Sequence, residues 1–214
     1  MPEGRAFAPQ FASARHRDET AELGMWVFIA TEILLFGGLV LGYFVYRHAY
    51  PDAFVAASRR TDILIGTANT AVLLTSSFLV ACAVNALQTN ARVVCVALLA
   101  GAIALGSLFI GLKAIEYANE YRERLIPGVD FAFGGSLANG VQLFFVFYFV
   151  ATLLHALHML IGIGVLGALA LLLRKSSNTR RRTALHSAAL YWHFVDVVWI
   201  FLFALIYLPG RSGG

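Results

Sequence analysis

The sequence predicts an all-α polytopic membrane protein, a bundle of five transmembrane helices. Three observations carry that prediction. Hydrophobic residues make up 59% of the 214 residues and charged ones 13%, far more apolar than a soluble domain. Five apolar runs reach the roughly 20 residues that about 30 Å of hydrocarbon requires. None of them alternates polar and apolar positions in the way a membrane barrel needs.

The elements follow in order. Residues 1–21, opening "MPEGRAFAPQFASARHRDET", hold charges and no apolar centre, so they form a polar tail rather than a signal peptide. One domain of five spans covers residues 22–208: Glu22–Tyr46, Ile63–Leu87, Val93–Ile115, Val141–Leu173 and Ala188–Leu208. The fourth run is longer than one crossing needs and is expected to tilt or to project into the cytoplasm. Residues 209–214 form a short tail. Glycines recur inside the runs, as in helices that pack closely in lipid. Gly38 and Gly42 in the first run have the four-residue spacing that lets a second helix approach.

Five spans put the N-terminal tail, the second loop and the fourth loop on one side. That side holds Arg5, Arg15, Arg17, Arg92, Arg174, Lys175, Arg180, Arg181 and Arg182. The other side, counted with Lys113 as a helix-end cation, holds Arg47, Arg59, Arg60, Lys113, Arg122, Arg124 and Arg211. The local stretch "RKSSNTRRR" has five cations and no acid. It places the N-terminus in the cytoplasm and the C-terminus outside. The loop reads as a determinant of orientation, and the net charge of +4 does not imply nucleic acid.

Cys82 and Cys95 are the only cysteines and read as packing residues. No CxxC or Cys/His cluster suggests a metal centre, and there is no phosphate-binding or dinucleotide-binding glycine pattern. The chain shows no internal repeat, which weighs against a transporter built from inverted halves.

The informative residues are the ionisable ones inside the spans, since each costs at least a few kcal/mol near the midplane. Glu32 lies about 15 Å into the first helix at 1.5 Å per residue. His155 and His158 lie near the centre of the fourth. His193 and Asp196 lie in the fifth, within "YWHFVDVVW". The pairs His155/His158 and His193/Asp196 have i,i+3 spacing, so both members of each share one helix face. That face should point into protein. A haem clamped between helices is one use for such histidines, but an i,i+3 pair on one helix cannot grip both faces of a haem. Hydrogen bonds that fix the bundle are a second use, and tuning the proton chemistry of a neighbouring subunit is a third. Glu32 is expected to be neutral or paired with His155 or His158. His193 has Asp196 as a natural local partner, the two forming an internal polar tie. Tyr191 and Trp192 suit the headgroup border, whereas Trp199 suits deeper packing.

The chain resembles subunit III of cytochrome c oxidase and its haem-copper relatives. "YWHFVDVVWIFLFALIY" resembles that family's last helix, and "GMWVFIATEILLFGG" its Glu-bearing helix. "NTAVLLTSS" resembles the Asn-Thr helix, "GLKAIEY" the end of the following one, and "FVATLLHALHMLIG" the His-x-x-His helix. The five occur in the family's order along almost the whole apolar chain. Five spans stand where the mitochondrial subunit has seven, so the chain looks like the shorter bacterial form without the first two helices.

That resemblance implies an accessory core subunit in the bacterial cytoplasmic (inner) membrane that itself carries no haem or copper. It implies packing against subunit I, support of proton uptake by the oxygen-reducing subunit, protection from turnover-linked inactivation, and structural phospholipid between the helices. The family's polar positions fall on Glu32, Glu116, His155, His158, His193 and Asp196. There is one departure: where the mitochondrial form has a carboxylate before the Asn-Thr pair, this chain reads "TDILIGTANT", with Leu64 at the aligned place and Asp62 two residues earlier. A subunit III of a quinol oxidase and the subunit-III-like protein associated with nitric oxide reductase fit the same motifs, because the electron donor is chosen in other subunits.

Overall fold

The computed structural model describes residues 14–128, 131–175 and 179–211. Residues 1–13 of the polar tail, 176–178 of the basic loop and 212–214 of the C-terminal tail lie outside these. Six helices follow in order: α1 Ala14–Ala49, α2 Pro51–Ser58, α3 Ile63–Gln88, α4 Arg92–Arg122, α5 Ala138–Lys175 and α6 Thr179–Tyr207. All but α2 are long and apolar enough to cross a bilayer, and no strand occurs among the described residues.

The helices outrun the apolar runs at several ends. α1 begins at Ala14, within the polar tail, α4 continues to Arg122, and α6 begins at Thr179 instead of Ala188. The physical reason is that backbone hydrogen bonding does not stop where hydrocarbon does. At 1.5 Å per residue, the 38 residues of α5 extend about 57 Å, well past a core of about 30 Å.

Local chemistry sets the turns. Pro51 starts α2 at a position where its missing N–H costs nothing. Asp62 caps α3, its carboxylate accepting from Leu64 N at 2.9 Å and Ile65 N at 3.2 Å. The displaced carboxylate of the sequence is therefore a helix cap, and Leu64 beside it is 78% exposed. Asn90 takes φ 62 between α3 and α4, a conformation asparagine tolerates better than most residues. Its side-chain oxygen accepts from Arg182 at 2.6 Å. That bond puts the α3–α4 turn and the start of α6 at one end of the bundle. At the other end, Arg211 donates to Tyr207 O at 2.8 Å and to Thr61 O at 2.6 Å, fastening the end of α6 to the α2–α3 turn.

The core lies among α3, α4, α5 and α6, where Leu73, Leu99, Phe109, Phe144, Trp192 and Trp199 are fully buried. α1 packs along α5 and α6 and touches α2. Among its described side chains the buried ones are Ile29, Phe36 and Tyr43, seven apart. Glu32 and Leu39, both part-buried, fall between them. That is a coiled-coil seam with a carboxylate at one inward position. Of the two glycines marked for close approach, Gly42 meets Phe147, whose ring edge would lie 3.1 Å from an added Cβ. Gly38 has nothing within 4 Å. Among the described residues the close approach is thus by one aromatic side chain, at Gly42.

Tyr191 and Trp192 face into the bundle rather than outward, where a headgroup could meet them. Tyr191 is buried and donates from its hydroxyl to His158 O at 2.9 Å, while Trp192 is fully buried with Gly106 and Gly162 against its ring. α6 starts nine residues earlier than its apolar run, which moves both rings into the bundle. Trp199 is fully buried, as expected, and its Nε1 donates to Thr70 Oγ1 at 3.1 Å. Cys82 is half-buried, Cys95 is buried, and both are free thiols.

Candidate functional site

Among the described residues, three clusters of ionisable side chains interrupt the apolar bundle. The first joins α1 to α5. His158 Nε2 lies 3.1 Å from Glu32 Oε2, and His158 Nδ1 lies 2.8 Å from Leu154 O. Both ring nitrogens are thus engaged. Phe36 packs edge-on against the imidazole at 5.5 Å, which shields the pair from lipid. Of the two partners expected for Glu32, the structure selects His158. Glu32→Gln retains a hydrogen-bonding group of the same shape, whereas Glu32→Ala leaves a buried imidazole nitrogen unpaired at a cost of about 1–3 kcal/mol. Thermal unfolding of the two variants should therefore rank Gln above Ala, and equal midpoints would mean that the pair contributes nothing.

His155 goes elsewhere. It is fully buried between Phe109, at 5.4 Å, and Trp199, at 5.2 Å between ring centroids. Neither of its ring nitrogens has a hydrogen-bond partner among the described residues.

The second site joins α3 to α6. His193 Nδ1 lies 2.6 Å from Ser77 Oγ. Asp196, on the next turn of α6, is 3% exposed, and neither carboxylate oxygen has a hydrogen-bond partner among the described residues. Ser77 lies within electrostatic reach of that carboxyl. The expected tie between His193 and Asp196 is therefore not a direct bond. With α3 packed against this face of α6, the serine hydroxyl takes the imidazole first.

The third site was legible only in part. The resemblance points to Glu116, but not to its partners. Lys113 Nζ donates to Glu116 Oε2 at 2.9 Å, Tyr148 OH at 3.0 Å and Tyr207 OH at 3.1 Å. Tyr207 in turn donates to Glu116 Oε1 at 2.7 Å. The ammonium also lies 4.7 Å from the Tyr148 ring centroid and 5.5 Å from that of Trp199. Lys113 is 4% exposed, so it is an interior cation and does not belong in the count of topology-setting charges. Glu120 is buried one turn beyond, with both oxygens unbonded among the described residues. Tyr117 and Thr152 share a hydrogen bond at the edge of the cluster. The sequence did carry a signal: Lys113, Glu116 and Glu120 have i,i+3 and i,i+4 spacing, the mark of one helix face.

Among the described residues no three of His, Cys, Asp and Glu converge as metal donors. What α1 to α6 define is a multi-pass helical membrane protein whose interior charges are held by hydrogen bonds and rings. The chain matches the family described as cytochrome c oxidase subunit III over residues 12–211. Quinol oxidase subunit 3 of Bacillus spizizenii is 30% identical over 206 residues, covering 94% of this chain and 95% of that protein. The probable quinol oxidase subunit 3 of Staphylococcus aureus is 26% identical over 201 residues, covering 92% and 93%. The chain belongs to the cytochrome c oxidase subunit III family. It is accordingly an accessory subunit III of a haem-copper oxidase, and other oxidase subunits are its partners.

Proposed function

We propose that the chain serves a quinol-oxidising haem-copper terminal oxidase of a bacterial cytoplasmic membrane, packing against subunit I and supporting its proton uptake. The observation that carries the quinol assignment is the end-to-end match to relatives named as quinol oxidase subunits. The chain carries no haem or copper of its own, those groups residing in partner subunits. In support, His158 has both nitrogens engaged and His155 lies between two aromatic rings, so neither is poised as an axial ligand. Its orientation keeps the N-terminus in the cytoplasm and the C-terminus outside. A groove of about 380 Å³ between α1 and α6, lined by Phe36, Val40, Phe194 and Phe201 among others, is apolar enough to take a structural phospholipid chain.

The chain acts on protons indirectly, by shaping the cytoplasmic mouth of the partner's pathway with its turns. Its own ionisable groups form three separate sites and do not serve as a conduit. The test is an oxidase core depleted of this subunit. Its turnover should be near normal at low pH, fall increasingly below that of the intact complex as pH rises and protons become scarce, and decay during turnover. A depleted core that matches the intact complex at every pH and in lifetime would leave only a scaffold role. Haem absorption in the isolated subunit would overturn the non-redox assignment.

A further inference from the structure

His193 lies five residues inside the apolar run of α6 and Ser77 near the centre of α3, so both lie within the hydrocarbon-spanning part of their helices. His193 is only half-buried. Its Nδ1 is taken by Ser77, and its Nε2 has no partner among the described residues. The neighbours one turn away on the same two helices, Leu74 and Val197, are exposed and apolar. An imidazole nitrogen thus opens onto an otherwise lipid-like face, at a depth where neither acyl chains nor water supply a hydrogen bond. Leaving a polar group unsatisfied there is costly. Behind it, Ser77 leads to the unbonded carboxyl of Asp196. A serine hydroxyl has a single proton, so whichever way it points, the imidazole relays the bond to Nε2.

We infer that the face where α3 meets α6 is covered in the assembled oxidase by a transmembrane helix of a partner subunit, which presents a hydrogen-bonding side chain to His193 Nε2. The occupant is a protein helix because hydrocarbon offers nothing for the imidazole. Val197 and Leu74 supply the apolar surround of the contact. The partner's side chain completes a chain of bonds through Ser77 toward Asp196. This inference rests on membership of an oxidase complex and is independent of whether the chain aids proton uptake. The depletion experiment reads pH-dependent turnover, whereas the experiment below reads contact, so either can fail alone.

A photoreactive benzophenone side chain placed at Leu74 in the intact oxidase complex should form its protein adduct with the middle of a transmembrane helix of another subunit. In parallel, His193→Leu should lower retention of this chain in the complex during detergent purification at least tenfold. His193→Gln, which keeps a hydrogen-bonding group, should stay within about twofold of the wild type. The thermal unfolding of each isolated variant separates lost contact from lost folding. If His193→Leu does not fold, the adduct alone decides. Adducts only to lipid or to a second copy of this chain, or equal retention of folded Leu and Gln variants, would overturn the inference.

Discussion

Lys113→Ala is expected to destabilise the bundle by about 3–5 kcal/mol, the usual cost of removing one partner of a buried ion pair. Among the described residues the ammonium is the one donor that binds Glu116, Tyr148 and Tyr207 together. Without it, Glu116 keeps its bond from Tyr207 but remains an uncompensated buried charge, with Glu120 one turn further along the same helix. The aromatic faces around Nζ would also lose an interaction of about 0.5–2 kcal/mol. Lys113→Met combined with Glu116→Gln removes both charges while keeping volume, and should recover most of the loss. Unfolding midpoints of the two single variants and the double variant in mild detergent measure this as a coupling between the sites. If Lys113→Ala unfolds like the wild type, the ammonium does not hold α4, α5 and α6 together.

The same cluster shows where sequence reading stopped. The number of spans was legible because hydrocarbon thickness fixes the length of an apolar run. Their ends were not, because helices continue through the headgroup layer. Ending the third run at Ile115 left Lys113 at its last turn and cut Glu116 and Glu120 off from the helix that buries them. Pairing between helices was legible only as a choice among candidates: Glu32 needed a histidine, and packing selected His158 over His155. His193 and Asp196 share a helix face, and that much the spacing shows. It does not show that α3 brings Ser77 to the imidazole, since that depends on the register between two helices far apart in the chain. Trp192 failed for a related reason. An aromatic near the end of an apolar run suits a headgroup border, but the two glycines that receive this one lie on other helices.

Those glycines give the last prediction. Trp192 is fully buried, with Gly106 of α4 and Gly162 of α5 both against its six-membered ring. A Cβ built on Gly106 would come within 2.9 Å of Cη2, and one on Gly162 within 2.9 Å of Cε3 and Cζ3. The ring is rigid and bound on two sides, so it has no flexible end to move away. Gly162→Val should therefore cost about 3 kcal/mol by overpacking, more than the fraction of a kcal/mol that replacing glycine returns to helix propensity. Gly106→Val should behave alike from the α4 side. Trp192→Phe shortens the ring system away from both glycines, and because Trp192 Nε1 has no hydrogen-bond partner among the described residues, the change gives up packing alone. In the wild-type background it should be destabilising, since it leaves a void. In the Gly162→Val background it should be stabilising, because the void receives the added side chain. That reversal of sign, read as unfolding midpoints of four proteins, separates a shaped slot from general intolerance of change at a buried site. A loss for Trp192→Phe that is the same in both backgrounds would show that Gly162 and Trp192 do not constrain one another, and that α6 is seated on α4 and α5 by other contacts.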